Sequence, residues 1–310
     1  MPATFQPDIL RSRLSPLAAR QGPDEHGQSY RRFYRLPGSD PQRSWLGGFS
    51  AAGCDLVGQV WLPAAPKATL FLVHGFYDHM GLYRHLIEWA LAREFAVISC
   101  DLPGHGLSSG PRASIQDFAD YQSVLDALFV EAAALKLPQP WHLCGQSMGG
   151  AIVIDHLLHA GAASPAQGRP VLLAPLIRPR SWTWSRMSYQ VLKPFVGGIA
   201  RRFSENTNDP EFMPFLQADP LQPVRLPTAW VGALVPWIKR VEAAPHSVCS
   251  PLVVQGQQDM TVDWQHNMRV LADKFTTPEV LMVPPARHHL ANEVPEIRRV
   301  YLAFLDEHLG

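Results

Sequence analysis

Short apolar runs alternate with amphipathic stretches from about residue 55 onward. Several runs consist almost entirely of Val, Leu, Ile, Phe and Ala, which is typical of parallel strands buried on both faces. The predicted strands cover residues 55–62, 68–74, 95–101, 141–145, 171–176, 251–256 and 280–283. The predicted helices between them cover residues 83–94, 115–135, 148–159, 263–274 and 296–308. This alternation predicts an α/β fold with a doubly wound, mostly parallel sheet.

One interval interrupts the alternation. Residues 178–245 are rich in aromatic side chains and proline, so we expect an inserted helical cap over the carboxyl ends of the strands. Most of its aromatic residues should be core, and a few should face a ligand. The core is then predicted in two parts, 55–177 and 246–310. We expect residues 1–54 to form a partly extended or disordered N-terminal segment, with an edge strand over residues 30–36.

Composition and charge narrow the function. Lys+Arg and Asp+Glu each number 27, so the chain lacks the basic field of a nucleic-acid-binding protein. The four cysteines are far apart and predict buried free thiols. We expect a cytoplasmic protein, because we find neither a signal-peptide core nor an apolar run of about 20 residues. Neither a metal-ligand cluster nor a phosphate-binding glycine motif is evident, so no cofactor is expected.

The strongest local signal is the sequence Gly-Gln-Ser-Met-Gly at residues 145–149, between an apolar strand and an apolar helix. A serine in such a tight turn exposes its hydroxyl at the top of the sheet. The Met148 N–H would lie at the helix N-terminus, where it could stabilise an oxyanion. This context predicts that Ser147 is a nucleophile.

A serine nucleophile needs a base and a group that orients that base, in the chain order serine, acid, histidine. Asp259 follows the strand at 251–256, and the adjacent His288 and His289 follow the strand at 280–283. We prefer Asp259 to Asp263, which should lie in the first turn of a helix. Periodicity does not separate the two histidines, so either could be the base.

The second oxyanion donor should come from the loop after an early strand. The strand at 68–74 runs into a turn at Gly75, which predicts the backbone N–H of Phe76 as this donor. Asp101 also ends a strand, but it precedes the serine and opens a glycine-rich turn. A structural role is expected for it.

The motifs together resemble one group of α/β-hydrolases, the monoacylglycerol lipases and bacterial lysophospholipases. They are His-Gly-Phe at 74–76, Asp-Leu-Pro-Gly-His-Gly-Leu-Ser at 101–108, Gly-Gln-Ser-Met-Gly-Gly at 145–150, Gly-Gln-Gln-Asp at 256–259 and Arg-His-His-Leu-Ala-Asn-Glu at 287–293. Asn-Asp-Pro at 208–210 is also similar to a stretch in that group's cap. In that group a glutamate follows the catalytic histidine by five residues, so the resemblance implies His288 as the base. Two departures are the Phe-Tyr-Asp-His sequence at 76–79 and the long N-terminal segment.

The function expected from this resemblance is hydrolysis of monoacyl lipid esters, a monoacylglycerol or a lysophospholipid, through an acyl-enzyme. The aromatic cap agrees with a lipid substrate, because burial of an acyl chain is favourable. Alternatives are a short-chain carboxylesterase, an amide hydrolase of the same fold, and a non-catalytic small-molecule binder. A transient contact of the cap with a membrane surface is a further expectation, and the oligomeric state is left open.

Overall fold

An eight-stranded sheet forms the centre of the molecule. The computed structural model describes residues 5–38, 40, 42–192 and 195–309. The strands are β1 (Ser44–Ala51), β2 (Cys54–Trp61), β3 (Ala68–Val73), β4 (Phe95–Cys100), β5 (Trp141–Gln146), β6 (Val171–Leu173), β7 (Gly198–Ala200), β8 (Arg225–Pro227), β9 (Leu252–Gly256) and β10 (Glu279–Val283). The sheet order is β1-β2-β4-β3-β5-β6-β9-β10, and β7 pairs separately with β8.

The sheet is parallel from β4 to β10, whereas β1 and β2 are antiparallel to each other and β2 is antiparallel to β4. β3, β4 and β5 are buried along their whole length, which explains their mostly apolar sequences. The carboxyl ends of β3, β5, β9 and β10 point to the same edge. The loops that leave this edge, together with the start of the helix after β5, are called the site edge below.

Helices cover the sheet, and apolar side chains on both faces are buried against them. The helices are α1 (Pro7–Ser12), α2 (Glu25–Tyr34), α3 (Arg84–Ala92), α4 (Ala119–Ala134), α5 (Met148–Ala160), α6 (Trp182–Leu192), α7 (Phe212–Ala218), α8 (Thr228–Ala243), α9 (Trp264–Lys274) and α10 (Pro295–Leu309). The predicted doubly wound α/β fold is confirmed. The four cysteines are free thiols, and two of them, Cys100 and Cys144, are buried.

The N-terminal segment differs from its prediction. The edge strand expected over residues 30–36 is wrong, because α2 covers most of that range and Asp24 caps this helix by accepting from two backbone N–H groups. The edge strand is instead β1, which a tight turn at Ala52 and Gly53 joins to β2. Gly47 allows this arrangement, since a Cβ there would lie 2.4 Å from the Cα of Leu17.

The interval 178–245 contains α6, α7, α8 and the β7–β8 pair, and the domain boundaries drawn around it stay a prediction. α8 packs into the main core through Trp230 and Trp237, which are 6% and 0% exposed. α6 differs sharply, because Trp184 is 72% exposed. Among the described residues, no helix combines the length and apolar character that crossing a bilayer requires.

Candidate active site

Ser147 occupies the sharp turn between β5 and α5. Its backbone is strained, with φ 54° and ψ −114°, a region that side-chain-bearing residues rarely adopt. The flanking glycines are required by close packing, since a Cβ at Gly149 would lie 2.0 Å from the carbonyl oxygen of Val73 and one at Gly145 would meet the backbone of Gly149. The turn therefore holds the Ser147 hydroxyl at the site edge.

Three predicted side chains meet at this edge. The distance from His288 Nε2 to Ser147 Oγ is 2.9 Å, and the distance from His288 Nδ1 to Asp259 Oδ2 is 2.7 Å. All three are at most 9% exposed. With its proton on Nδ1, the imidazole of His288 donates to the carboxylate and leaves Nε2 to accept from the serine hydroxyl. The arrangement can remove a proton from Ser147 and deliver it to a leaving group.

Neighbouring groups stabilise the charged forms of Asp259 and His288. Burial raises the pKa of Asp259, but His288 and the backbone N–H groups of Thr261 and Val262 outweigh it, so the carboxyl pKa is lowered overall. Burial lowers the pKa of His288, and the carboxylates of Asp259 and Asp78 outweigh that effect, so its pKa is raised. Asp259 is therefore ionised, and a protonated His288 is stabilised.

The structure separates the residues that the sequence left as rivals. Asp263 caps α9, where its carboxylate accepts from the backbone N–H of His266 at 3.2 Å. His289 lies beside a different group, with its Nε2 3.2 Å from Asp78 Oδ2. Asp101 accepts from the backbone N–H groups of Met80 and Leu107, which is the structural role expected for it.

The loop after β3 lies directly beside the serine. A Cβ at Gly75 would lie 3.4 Å from the Cβ of Ser147 and 2.8 Å from Asp78 Oδ2, so only glycine fits without displacement. The Gly75 N–H donates to the hydroxyl of Tyr83 at 2.9 Å, and that hydroxyl donates to Asp78 at 2.8 Å. This chain of hydrogen bonds fixes the loop that carries the backbone N–H of Phe76.

Asp78 links this loop to the loop that carries His288. The negative charge of Asp78 is favoured, because burial raises its pKa but His289, Tyr83 and His74 together lower it well below its usual range. One buried carboxylate thus faces both Tyr83 and His289. Sequence reasoning noted Asp78 only within a departure from the related group, weighed His289 only as an alternative base, and gave no role to Tyr83.

A second set of contacts joins the cap to the core, and sequence reasoning missed it. His79 Nε2 lies 2.8 Å from Asp219 Oδ2, and the Tyr34 hydroxyl of α2 donates to Asp219 Oδ1 at 2.5 Å. Burial lowers the pKa of His79, but Asp219, together with Asp101 and Asp78, outweighs burial, so its pKa is raised overall. The N-terminal segment, the loop after β3 and the cap therefore meet at one buried ion pair. Asp219 is a single aspartate in an irregular segment, so the sequence did not predict its contacts with His79 and Tyr34.

Glu293 anchors the other side of the site. Its carboxylate accepts from the backbone N–H of Arg287 at 2.6 Å and from the backbone and side-chain amides of Asn208 at 2.8 and 3.0 Å. The side chain of Glu293 is fully buried. The spacing of Glu293 from His288 was evident in the sequence, but its contact with the cap was not.

The cap covers the predicted oxyanion loop. The ring of Phe76 stacks on the indole of Trp230 from α8, with centroids 3.8 Å apart and planes inclined by 20°. Tyr77 lies beside Phe76, at a centroid distance of 4.1 Å. Among the described residues, no group of three His, Cys, Asp or Glu side chains could hold a metal ion.

Comparison with known proteins finds a family model and relatives that align with most of the chain. A family model described as "Serine aminopeptidase, S33" matches residues 64–295. The chain is 30% identical over 278 residues to the monoglyceride lipase of Mus musculus, an alignment covering 85% of this chain and 89% of the relative. It is 28% identical over 260 residues to the monoacylglycerol lipase of Mycolicibacterium smegmatis, with 80% and 90% coverage.

Solved structures show the same fold. A soluble variant of the monoglyceride lipase of Saccharomyces cerevisiae, in complex with a substrate analogue, superposes with a TM-score of 0.73 at 18% identity and covers 86% of this chain and 96% of its own. The monoacylglycerol lipase of Paleococcus ferrophilus superposes with a TM-score of 0.68 at 20% identity, with 80% and 98% coverage. The chain belongs to the serine aminopeptidase S33 family of α/β-hydrolases, and it is a carboxylic ester hydrolase.

Proposed function

We propose that the chain hydrolyses carboxylic esters of monoacyl lipids through an acyl-enzyme formed on Ser147. The observation that carries the proposal is the pair of hydrogen bonds that joins Ser147 to His288 and His288 to Asp259, at 2.9 and 2.7 Å. This geometry supports Ser147 as nucleophile, His288 as general base and then acid, and Asp259 as the group that orients the imidazole.

The reaction proceeds in two halves. His288 Nε2 takes the hydroxyl proton as Ser147 Oγ attacks the ester carbonyl carbon, and the carbonyl oxygen becomes an oxyanion. The backbone N–H groups of Phe76 and Met148 are proposed to bind that oxyanion. The tetrahedral intermediate expels the alcohol, which receives the proton from His288. Water then attacks the acyl-enzyme by the same route, and this releases the fatty acid and restores the Ser147 hydroxyl.

The lipid part of the proposal depends on the cap and the relatives. The cap places Trp230 over the site edge, where it stacks on Phe76 of the loop after β3, and these two rings would offer apolar surface to an acyl chain. Relatives that align over most of this chain are called monoacylglycerol lipase and monoglyceride lipase. A monoacylglycerol or a lysophospholipid is therefore the proposed substrate class.

The test is fatty-acid release from a long-chain monoacylglycerol and from a lysophospholipid, measured side by side with wild type and Ser147→Ala. We expect release by the wild type and a loss of at least about 10⁴-fold in the variant. Ser114→Ala is a suitable control, since Ser114 is another buried serine. Release that persists in Ser147→Ala would overturn the assignment of the nucleophile.

A second candidate has a specific observation behind it, because the matching family model is described as a serine aminopeptidase. The same serine chemistry would cleave an amide or a short-chain ester. A chain-length series from acetyl to oleoyl esters, run beside an aminoacyl arylamide, separates these reactions. Faster cleavage of the arylamide or the acetyl ester would remove the lipid proposal, and a folded protein that a fluorophosphonate does not label would favour a non-catalytic binder.

We also propose that the cap contacts a membrane surface transiently. Three side chains of α6 lie on one face at helical spacing and are strongly exposed, namely Trp184, Met187 and Val191. Phe195 follows at 84% exposure. Sedimentation with phospholipid vesicles measures this contact directly. A bound fraction that Trp184→Ser and Phe195→Ser reduce supports it, and the absence of a bound fraction in wild type overturns it.

A further inference from the structure

The cap carries an unbalanced positive charge. Residues 178–204 contain six Lys or Arg and no Asp or Glu, although the whole chain has 27 of each sign. One cation in this stretch, Arg178, forms a two-point ion pair with Glu242. Arg201 instead contacts aromatic rings and neutral oxygens, and one of those rings belongs to the loop after β3.

Arg201 directly follows β7, and its guanidinium lies over two aromatic rings. The guanidinium carbon is 4.1 Å from the ring centroid of Tyr77 and 4.4 Å from that of Phe203. Its Nη1 donates to the side-chain oxygen of Gln222 at 2.7 Å and to the carbonyl of Pro223 at 3.1 Å. These contacts fix the plane of the guanidinium.

Two neighbouring aromatic rings, Tyr77 and Phe76, lie between Arg201 and the loop beside Ser147. The ring of Tyr77 lies 4.1 Å from the ring of Phe76, whose backbone N–H is the proposed oxyanion donor. A Cβ built on Gly75, the residue before it, would lie 3.4 Å from the Cβ of Ser147, so this loop runs beside the serine. The guanidinium is thus separated from the reacting serine by one loop, on the side where the cap faces the site edge.

In the part of the chain that the structure describes, Arg201 lacks a carboxylate partner. Its side-chain hydrogen bonds there use only Nη1 and two neutral oxygens. Burial lowers the pKa of Arg201, and the charges of Asp78 and Asp219 offset this only in part. A partly desolvated cation without a close anion is unfavourable unless a ligand supplies the negative charge.

We propose that Arg201 binds a phosphate in the head group of the substrate. The site would then prefer an anionic monoacyl lipid, a glycerol that carries one acyl ester and one phosphate, over the neutral monoacylglycerol. A guanidinium matches phosphate through two parallel N–H donors, and Nε and Nη2 form the edge not used by Gln222 and Pro223. This inference rests on the proposed function, and it concerns the selection of the substrate rather than the reaction.

The first experiment compares the hydrolysis of 1-decanoylglycerol and of its 3-phosphate, below their aggregation thresholds, by wild type, Arg201→Gln and Arg202→Gln. Arg202 is the matched control, because it is the neighbouring cation and is exposed. We expect the ratio of kcat/KM for the phosphate ester to kcat/KM for the neutral ester to fall by roughly ten- to hundredfold in Arg201→Gln, as for a lost charge-assisted hydrogen bond. Most of the change should be in KM, and Arg202→Gln should retain the wild-type ratio.

The second experiment is independent of catalysis. Calorimetric binding of the same two lipids to Ser147→Ala, with and without Arg201→Gln, should show that the phosphate lipid loses affinity and the neutral lipid does not. Equal losses for both lipids, in kinetics or in binding, would assign Arg201 a purely structural role and overturn the inference, as would an unchanged ratio. Selective binding by a protein that hydrolyses neither lipid would refute the proposed function alone.

Discussion

The site edge and the cap differ in the burial of their side chains and in the pairing of their polar groups. At the site edge, Ser147, His288, Asp259 and Asp78 are all less than 10% exposed, and each has specific polar partners. In the cap, α6 exposes Trp184 at 72%, and Arg201 lacks a carboxylate partner among the described residues. The side chains of the site edge are therefore held by buried contacts. The cap instead leaves an apolar side chain and a cation available to a ligand or a membrane surface.

This difference suggests a division of labour. Chemistry on an ester requires donors, acceptors and charges at fixed distances, and burial with satisfied hydrogen bonds holds them there. Selection of a lipid requires apolar area and a charge that the substrate can neutralise. Substitutions at the site edge should therefore change the rate for every ester, and substitutions in the cap should change which ester is preferred or where the enzyme acts.

The largest effect is expected at Asp259. Asp259→Asn keeps the side-chain volume but removes the charge that orients His288, so kcat should fall by about 10⁴-fold for all esters, as in other serine triads. Steady-state kinetics with a short soluble ester and with a long one measure this. Asp263→Asn, which alters only the cap of α9, is the matched control. A fall in kcat confined to long esters would contradict the assignment of chemistry to the site edge and of substrate selection to the cap.

A smaller effect is expected at Tyr83. Tyr83→Phe removes the acceptor of the Gly75 N–H and one donor to Asp78, so the loop that carries the proposed oxyanion donor loses its fixed position. We expect kcat to fall by roughly ten- to hundredfold, with KM almost unchanged, because the loop acts on the transition state.

Thermal unfolding should also show a loss of about 1–3 kcal/mol in Tyr83→Phe, the cost of buried polar groups left unpaired. Tyr34→Phe breaks a comparable bond to the buried Asp219 without contacting Gly75. Equal losses of kcat in the two variants would show that stability, rather than loop position, explains the effect.

The pH dependence tests the electrostatics of the same edge. His288 must be neutral to act as a base, and its pKa is raised, so kcat/KM should rise with pH through a midpoint above the ordinary histidine pKa of about 6.5. Asp78→Asn removes one of the two carboxylates that raise this pKa, so the midpoint should move to lower pH. A midpoint that does not move would show that Asp78 acts only through its hydrogen bonds.

The smallest effect on chemistry is expected in the exposed part of the cap. Trp184→Ser should change kcat/KM for a soluble short-chain ester by less than about twofold and stability by at most about 0.5 kcal/mol, because the side chain is largely in water. The same variant should bind vesicles less than wild type does. A large loss of activity toward the soluble ester would place α6 in the active site.

Local patterns predicted much of this molecule. Buried parallel strands such as β3 and β4 have mostly apolar sequences, and the serine turn has its own local signature, so both could be recognised without a structure. β1 could not, because it contains two glycines and depends on pairing with β2 and on the close approach of Leu17 to Gly47. The edge strand predicted over residues 30–36 is wrong because aromatic residues there, such as Phe33, favour strands when local propensity alone is considered.

The sequence by itself determined the α/β fold and the serine turn, and it predicted a serine, an acid and a histidine in that chain order, because each depends on residues close together in the chain or on the direction of parallel strands. Which of His288 and His289 faces the serine was decided by the tertiary structure, because the residues alone did not separate them and only the family resemblance favoured His288. The tertiary structure also decided that Asp78, Asp219 and Glu293 join the site edge to distant segments. Such contacts depend on side chains 85 or more residues apart, as between Asn208 and Glu293, and a buried carboxylate has no local signature until its partners are known.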